Sequence, residues 1–385
     1  MKILVYEWGA YLQHDIYAIL REKGIDFATF SWKFEDKNID EGFETWFLKS
    51  VDLTQYDALL SVNYWPLLSK VCQEKDTKYI AWCYDNPLNV EKIEATLANA
   101  VNYVFLFDKV QYSGYNNKGI DTVYHMPLGV NATRLSNIIL SKAERKKYEA
   151  EVSFVGSLYE SRLYEIIAPL TAELKEYINT LIDVQLRMYG QYLFDEMITD
   201  RIVGEINRQY QQVCPGTKFQ ICKEALTFAM ASEVTRKERM ILLNLCGKRY
   251  DTRFYSYKNS ELINNVKMCP PVDWVEEMPK IFACSKINLN PSLKIIQTGI
   301  PLRVFDIMGA GGFLLSNYQE EILELYEDGK DLVLYASMEE AVAKIDFYLK
   351  HDELRKKILL SGREKTLKEN SLQDRLDKIL KIVFA

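Results

Sequence analysis

Between Thr298 and Leu315 the chain runs Thr298-Gly-Ile-Pro-Leu-Arg-Val-Phe-Asp306, then Gly309, Gly311 and Gly312 ahead of Phe313-Leu-Leu315. The small residues and Pro301 predict a tight loop, the run Leu302 to Met308 a short helix, and the glycines its end before a buried strand. A loop of this kind entering a helix is suited to anions. The first amides of the helix have no intrahelical acceptor, and the helix dipole favours negative charge there. Arg303 adds a planar guanidinium that matches phosphate. Asp306 lies one turn further on, on a similar face, where a carboxylate can accept from a diol such as a ribose. The loop Thr298-Gly299-Ile300-Pro301, then helix amides, Arg303 and Asp306 in this order, fit a nucleoside diphosphate. The alternative is a plain loop-helix-strand connector with Arg303 and Asp306 as a surface pair. Neither Gly-x-x-x-x-Gly-Lys-Ser/Thr nor an early Gly-x-Gly-x-x-Gly is present.

Further segments stand in a fixed order around this one. They are Asp85-Asn-Pro87, Met126-Pro-Leu-Gly-Val130, Val152-Ser-Phe-Val-Gly-Ser157 with Arg162, Asp273-Trp-Val-Glu-Glu-Met-Pro279 and Lys286-Ile-Asn-Leu-Asn290. Together with the 299–315 stretch they resemble the CgeB-like glycosyltransferases of spore maturation, which are similar to GT-B enzymes that use sugar nucleotides. The resemblance implies an α/β GT-B fold: two Rossmann-like parallel-sheet lobes around a cleft. It implies that the Gly156-Ser157 loop and Arg162 face the donor diphosphate. It implies that the turn holding Val272 lies against the base, and that the segment of Asp85 faces the cleft. It also implies a surface-glycan or protein acceptor and a last helix, 371–385, that packs back on the first lobe. Two positions depart from related retaining enzymes: Thr298 stands where they carry a glutamate, and Asp306 where the ribose-binding acid is usually glutamate. The course, retaining or inverting, therefore stays open.

The elements that must position these residues come from hydrophobic period. Lys2 to Tyr6, Asp57 to Val62, Lys78 to Trp82, Tyr103 to Phe107 and Val123 to His125 read as buried strands, with helices between them. This predicts a parallel first lobe, 1–130, with ligands beyond the strands' C-terminal ends. Gly9, after the first strand, then either lines that edge or is a simple turn glycine. Asp85 is either a catalytic acid or an Asx-turn or cap for the helix after Pro87. His125 is either a base near the acceptor or a structural histidine. A linker at 131–150 leads to a second lobe at 151–370, with a helical insertion at 160–247. There Arg162 is either a phosphate ligand or a helix-face arginine. Lys286 either reaches a phosphate or is solvated at the start of its strand. Asn288 and Asn290 share one side of that strand, as donor contacts or as a satisfied buried pair.

The 385-residue chain is 48% hydrophobic and 26% charged, an ordinary globular balance. A net charge of −6 argues against a nucleic-acid binder. The seven cysteines form no Cys-x-x-Cys, and the three histidines no His-x-x-x-His, so neither a disulfide framework nor a zinc site is expected. No Asp-x-Asp metal motif stands out, and no run reaches the length a membrane helix needs. Taken with these exclusions, the resemblance implies a cytoplasmic, metal-independent hexosyltransferase without a cofactor, taking a UDP- or GDP-sugar. Homo-oligomer formation is left open. The rivals are a GT-B-fold nucleotide-binding protein without turnover, and a sugar-nucleotide epimerase.

Overall fold

The computed structural model describes residues 1–88, 90, 93–258 and 260–385. Asn259, which the sequence places with Lys258 in the loop after a strand over Thr252 to Tyr257, lies outside them. Contacts divide the chain into two compact units. The first comprises Met1–Asn137, Thr298–Gly309 and Glu364–Ala385, and the second Ile138–Gln297 and Ala310–Arg363.

Six strands form the sheet of the first unit: β1 (Lys2–Glu7), β2 (Asp26–Ser31), β3 (Ala58–Val62), β4 (Lys78–Trp82), β5 (Asn102–Leu106) and β6 (Val123–His125). Their order is β2-β1-β3-β4-β5-β6, and every pairing is parallel. Parallel strands need crossover connections, and the helices that supply them cover both faces. That is why β3 is buried along its whole length and reads as a continuous apolar run. The edge strand β2 shows a half-exposed pattern instead. One face packs Leu4, Tyr6, Leu59, Tyr79, Val104 and Leu106 into an aromatic-rich core with Phe43, Phe47 and Tyr64. The helix Leu372–Val383 belongs to this unit and buries Leu372, Leu376, Ile379 and Val383. Its entry is fixed by Val130, whose amide donates to Asn370 O at 3.1 Å and whose carbonyl accepts from Leu372 N at 2.7 Å.

The helix Leu302–Gly309 is also part of the first unit. It was expected within the second lobe. Its packing explains the difference: a Cβ on Gly299 would stand 2.8 Å from Asp108 Cα, and one on Gly309 2.7 Å from Leu135 Cδ1. The segment is pressed at both ends against the first unit through positions that have no side chain.

The second unit holds β7 (Ala150–Val155), β8 (Thr252–Tyr255), β9 (Lys267–Cys269), β10 (Ser285–Asn290), β11 (Leu314–Asn317) and β12 (Val333–Tyr335), ordered β12-β11-β10-β7-β8-β9 and all parallel. Strand β9 overlaps Met268 to Asp273, a stretch that the sequence alone reads as an extended turn, because three residues ahead of Pro270 and Pro271 give no period to detect. Between β7 and β8 five helices fill 163–247. The last of them, Lys223–Gly247, serves two cores. Leu226, Met230 and Val234 join the insertion's own core with Leu174, Ile178 and Ile206, while Leu242, Leu243 and Cys246 pack with the sheet residues Val152, Phe254 and Ile287.

Candidate functional site

In the first unit the C-terminal ends of the strands gather most of the expected residues on one edge, as open parallel sheets do. After β1 the chain turns at Gly9, whose φ of +82° is the left-handed region that glycine enters without penalty. Gln13 builds this turn. Its buried side-chain oxygen accepts from the amides of Trp8 (3.2 Å), Gly9 (3.2 Å) and Ala10 (3.3 Å), and its amide group donates to Tyr6 O at 2.8 Å. No described atom lies within 4 Å of where a Cβ on Gly9 would stand. The glycine therefore leaves open space beside the strand end.

Asp85, three residues past β4, is held by Asn63, the first residue after β3. Asn63 Nδ2 donates to Asp85 Oδ2 at 2.7 Å, and Asn63 Oδ1 accepts from the amides of Tyr84 (3.0 Å) and Asp85 (3.2 Å). Asn63 has a φ of 61°, a conformation that asparagine tolerates better than most residues. Burial pushes the Asp85 carboxyl above the usual carboxylate range, while the Asn63 hydrogen bond and the charge of Lys37 pull it back. Of the two readings of Asp85, its hydrogen-bond partner here is the side chain of Asn63 on the neighbouring strand end.

Asp108 follows β5 and is fully buried. Its Oδ1 caps the helix Lys109–Asn116 by accepting from Val110 N (2.9 Å) and Gln111 N (3.1 Å). Its Oδ2 accepts from Thr298 N (3.2 Å) and Gly299 N (3.1 Å). The two leading amides of the expected anion loop are thus already engaged by a carboxylate of the protein. This brings Thr298 and Gly299 to the end of β5, with Ile300 buried, Pro301 and Arg303 half-buried, and Asp306 4% exposed. His125 closes β6 opposite Leu106 and is half-buried, its ring centroid 6.3 Å from that of Tyr112. Along this edge stand Gly9, Asn63, Asp85, Asp108 with Thr298 and Gly299, and His125, from β1, β3, β4, β5 and β6 in turn.

In the second unit Gly156 and Ser157 follow β7, Asn290 ends β10, and Val272 lies beyond β9, all at the C-terminal edge of that sheet. Asn290 Nδ2 donates to Ser316 Oγ (2.9 Å) and Ser292 Oγ (3.2 Å), and Asn288 Nδ2 to Phe282 O (3.1 Å), so both serve buried polar networks. Lys286 does not join them. It stands at the start of β10, the other end of the strand, with Nζ 3.9 Å from Glu151 Oε1. Arg162 is exposed at the N-terminal cap position ahead of the helix Leu163–Ile167 and pairs with Glu165 at 2.9 Å.

Several residues that the sequence did not single out hold this edge together. Arg239 donates to Ser157 O (2.6 Å) and to Pro291 O (2.6 and 3.0 Å), and its guanidinium lies over the Tyr159 ring at 4.7 Å. The adjacent Glu238, fully buried, stands 2.9 Å from Lys294 Nζ and accepts from Tyr189 (3.0 Å) and Tyr335 (3.1 Å). A buried charge of this kind persists only when paired and hydrogen-bonded. A signal was present: the run Thr235-Arg-Lys-Glu-Arg239 interrupts the apolar stretch of a long helix, where four charges in succession cannot all face solvent. Among the described residues no group of three or more His, Cys, Asp or Glu is placed to hold a metal ion.

Both sheets, each six-stranded, parallel and flanked by helices, recur together in known structures. Sucrose-phosphate synthase from Thermosynechococcus elongatus superposes with a TM-score of 0.58 at 9% identity, covering 100% of this chain and 99% of its own. The fold is GT-B. BGT of phage T4, solved with its UDP-glucose substrate, gives a TM-score of 0.55 at 12% identity over 100% of both chains. HepE of Anabaena, solved with UDP-glucose, gives 0.54 at 12% identity, covering 100% of this chain and 99% of its own. Residues 224–381 match the family model described as glycosyl transferase-like. A comparison with curated proteins gives no match. No described helix of this GT-B chain is long and apolar enough to cross a membrane.

Proposed function

We propose that this chain is a glycosyltransferase that moves a hexose from a UDP- or GDP-sugar to a glycan or protein acceptor, without a metal ion and in the cytoplasm. The observation that carries the reading is the glycosyl transferase-like match over 224–381, set on a GT-B fold. The UDP-glucose complexes of T4 BGT and HepE favour a uridine donor.

In this reading Arg303 balances the charge that develops on the diphosphate as the anomeric bond breaks, and Asp306 accepts from the ribose. Asp85 is the base of an inverting course, taking the proton of the acceptor hydroxyl while the nucleoside diphosphate leaves with the bonding electrons. A carboxylate whose proton affinity is raised by burial is better suited to this than an exposed one. His125, two strands along the same edge, is the alternative base. Thermal shift against UDP-sugars and GDP-sugars tests the reading, because a ligand of the folded state raises the melting point with its concentration. Mass analysis of the products then separates transfer from epimerisation or binding alone. A chain that no nucleotide sugar stabilises is not a glycosyltransferase of this kind.

A further inference from the structure

One contact joins a residue that the proposed chemistry does not use to the loop that it does. Asp108 is fully buried, and its two oxygens accept from four backbone amides: Val110 and Gln111 in its own helix, Thr298 and Gly299 in the loop ahead of Arg303. Thr298 Oγ1 adds a longer approach to Oδ1 at 3.5 Å. Such an arrangement allows two opposite roles. The carboxylate either occupies an anion site and competes with the donor's phosphates, or it fixes the loop so that the residues after it are presented to the donor.

The packing favours the second. A competitor has to leave, yet this carboxylate is also the cap of the helix Lys109–Asn116, and moving it would strip Val110 and Gln111 of their acceptor. Gly299 lies so close that a Cβ there would meet Asp108 Cα and Cβ at 2.8 Å and Phe107 Cδ2 at 2.9 Å. At the far end of the helix Leu302–Gly309, Gly309 is as closely set against Leu135. The segment is seated at both ends rather than resting on a displaceable ion.

We infer that Asp108 is a positioning residue for the donor loop: it holds Thr298 and Gly299 in place, and through them sets Arg303 and Asp306 toward the nucleotide. The inference rests on the proposed function, which assigns Arg303 and Asp306 to the donor. Asp108→Asn separates the two halves of the contact. Asparagine caps a helix about as well as aspartate, so the cap to Val110 and Gln111 survives, but its NH2 then meets the N–H groups of Thr298 and Gly299, donor against donor.

Titration of UDP into the wild type and Asp108→Asn is the test, with amide hydrogen exchange at Thr298 and Gly299 and separate KM values for donor and acceptor. Positioning requires faster exchange at those two amides in the variant. It also requires about a tenfold rise in the UDP dissociation constant and donor KM, the loss of a hydrogen bond or two to a charged acceptor, with acceptor KM unchanged. Tighter UDP binding by the variant would make Asp108 a competitor and overturn the inference, as would unchanged binding. Wild-type protein that does not bind UDP or GDP would instead remove the functional reading beneath it. If Asp108→Asn fails to fold, Gly299→Ala perturbs the same seat from the loop side while keeping the Asp108 carboxylate, and the same rise in the UDP dissociation constant is required of it.

Discussion

Asn63 and Asp85 form a two-way tie between neighbouring strand ends. The amide group of Asn63 donates to the Asp85 carboxylate at 2.7 Å, and its carbonyl takes the backbone N–H of Asp85 at 3.2 Å. This bond is the largest influence that lowers the proton affinity of Asp85 against the burial that raises it. Asn63→Gly keeps the left-handed backbone and removes the tie. As a base Asp85 works only when ionised, so the rate falls on the acid side through its folded pKa, which lies above the ordinary carboxylate value of about 4. In Asn63→Gly the acid limb of kcat/KM should move to still higher pH. A limb in the same place would mean that another group titrates. Stability moves in the opposite sense to activity. A raised carboxyl costs stability above its folded pKa, and that cost is relieved as the pH falls toward the unfolded value.

Replacing the base itself should be more severe. Asp85→Asn keeps the shape and most hydrogen bonding, so UDP binding should persist while kcat falls by roughly 10²–10⁴. The same assay in excess EDTA should leave wild-type turnover intact. Activity lost in EDTA and restored by a divalent ion would refute metal independence.

Arg303→Ala should weaken UDP binding by about 1.5–3 kcal/mol, the range for a hydrogen bond to a charged group. Calorimetry measures it directly. Unchanged affinity in a folded variant would take Arg303 out of the donor site. Arg162→Ala is a useful contrast: its side chain is exposed and already paired with Glu165, and affinity should hardly move.

The buried pair in the second unit predicts a stability effect. Lys294→Met leaves Glu238 without its cation, and removing one partner of a buried ion pair costs about 3–5 kcal/mol. Glu238→Gln combined with Lys294→Met should recover part of that, which differential scanning calorimetry on the single and double variants would register. Equal melting points for single and double variants would mean that the tyrosines Tyr189 and Tyr335 suffice to satisfy Glu238.

What could be read from the sequence follows the range of the interaction. Strands such as β3 and β4 were legible because helices on both faces demand unbroken apolar runs. The helix at Leu302–Gly309 was legible from its loop and its closing glycines. The tie of Asp108 to Thr298 was not, since it spans 190 residues and each partner alone looks like an ordinary cap or turn. Spacing alone reads Tyr318 to Tyr326 as a helix, whereas the structure has one only at Ile322–Leu325, because the polar side chains of Asn317 and Gln319 are turned inward to hydrogen-bond Ser292. Period shows which residues face inward on a regular element. It does not show which polar groups are buried to satisfy one another.

The chain passes from one unit to the other after Asn137, Gln297, Gly309 and Arg363. That threading has a consequence for recombination between relatives. A single crossover near residue 137, the apparent boundary in a linear view, would give a hybrid whose first unit is itself mixed. Asp108 from one parent would have to seat a Thr298–Gly299 loop from the other, and Val130 would have to receive a foreign Asn370 and Leu372. Exchanges that carry 298–309 and 364–385 together with the first 137 residues keep those fitted surfaces in one lineage. In this chain the first unit is three separate stretches of sequence that pack as one.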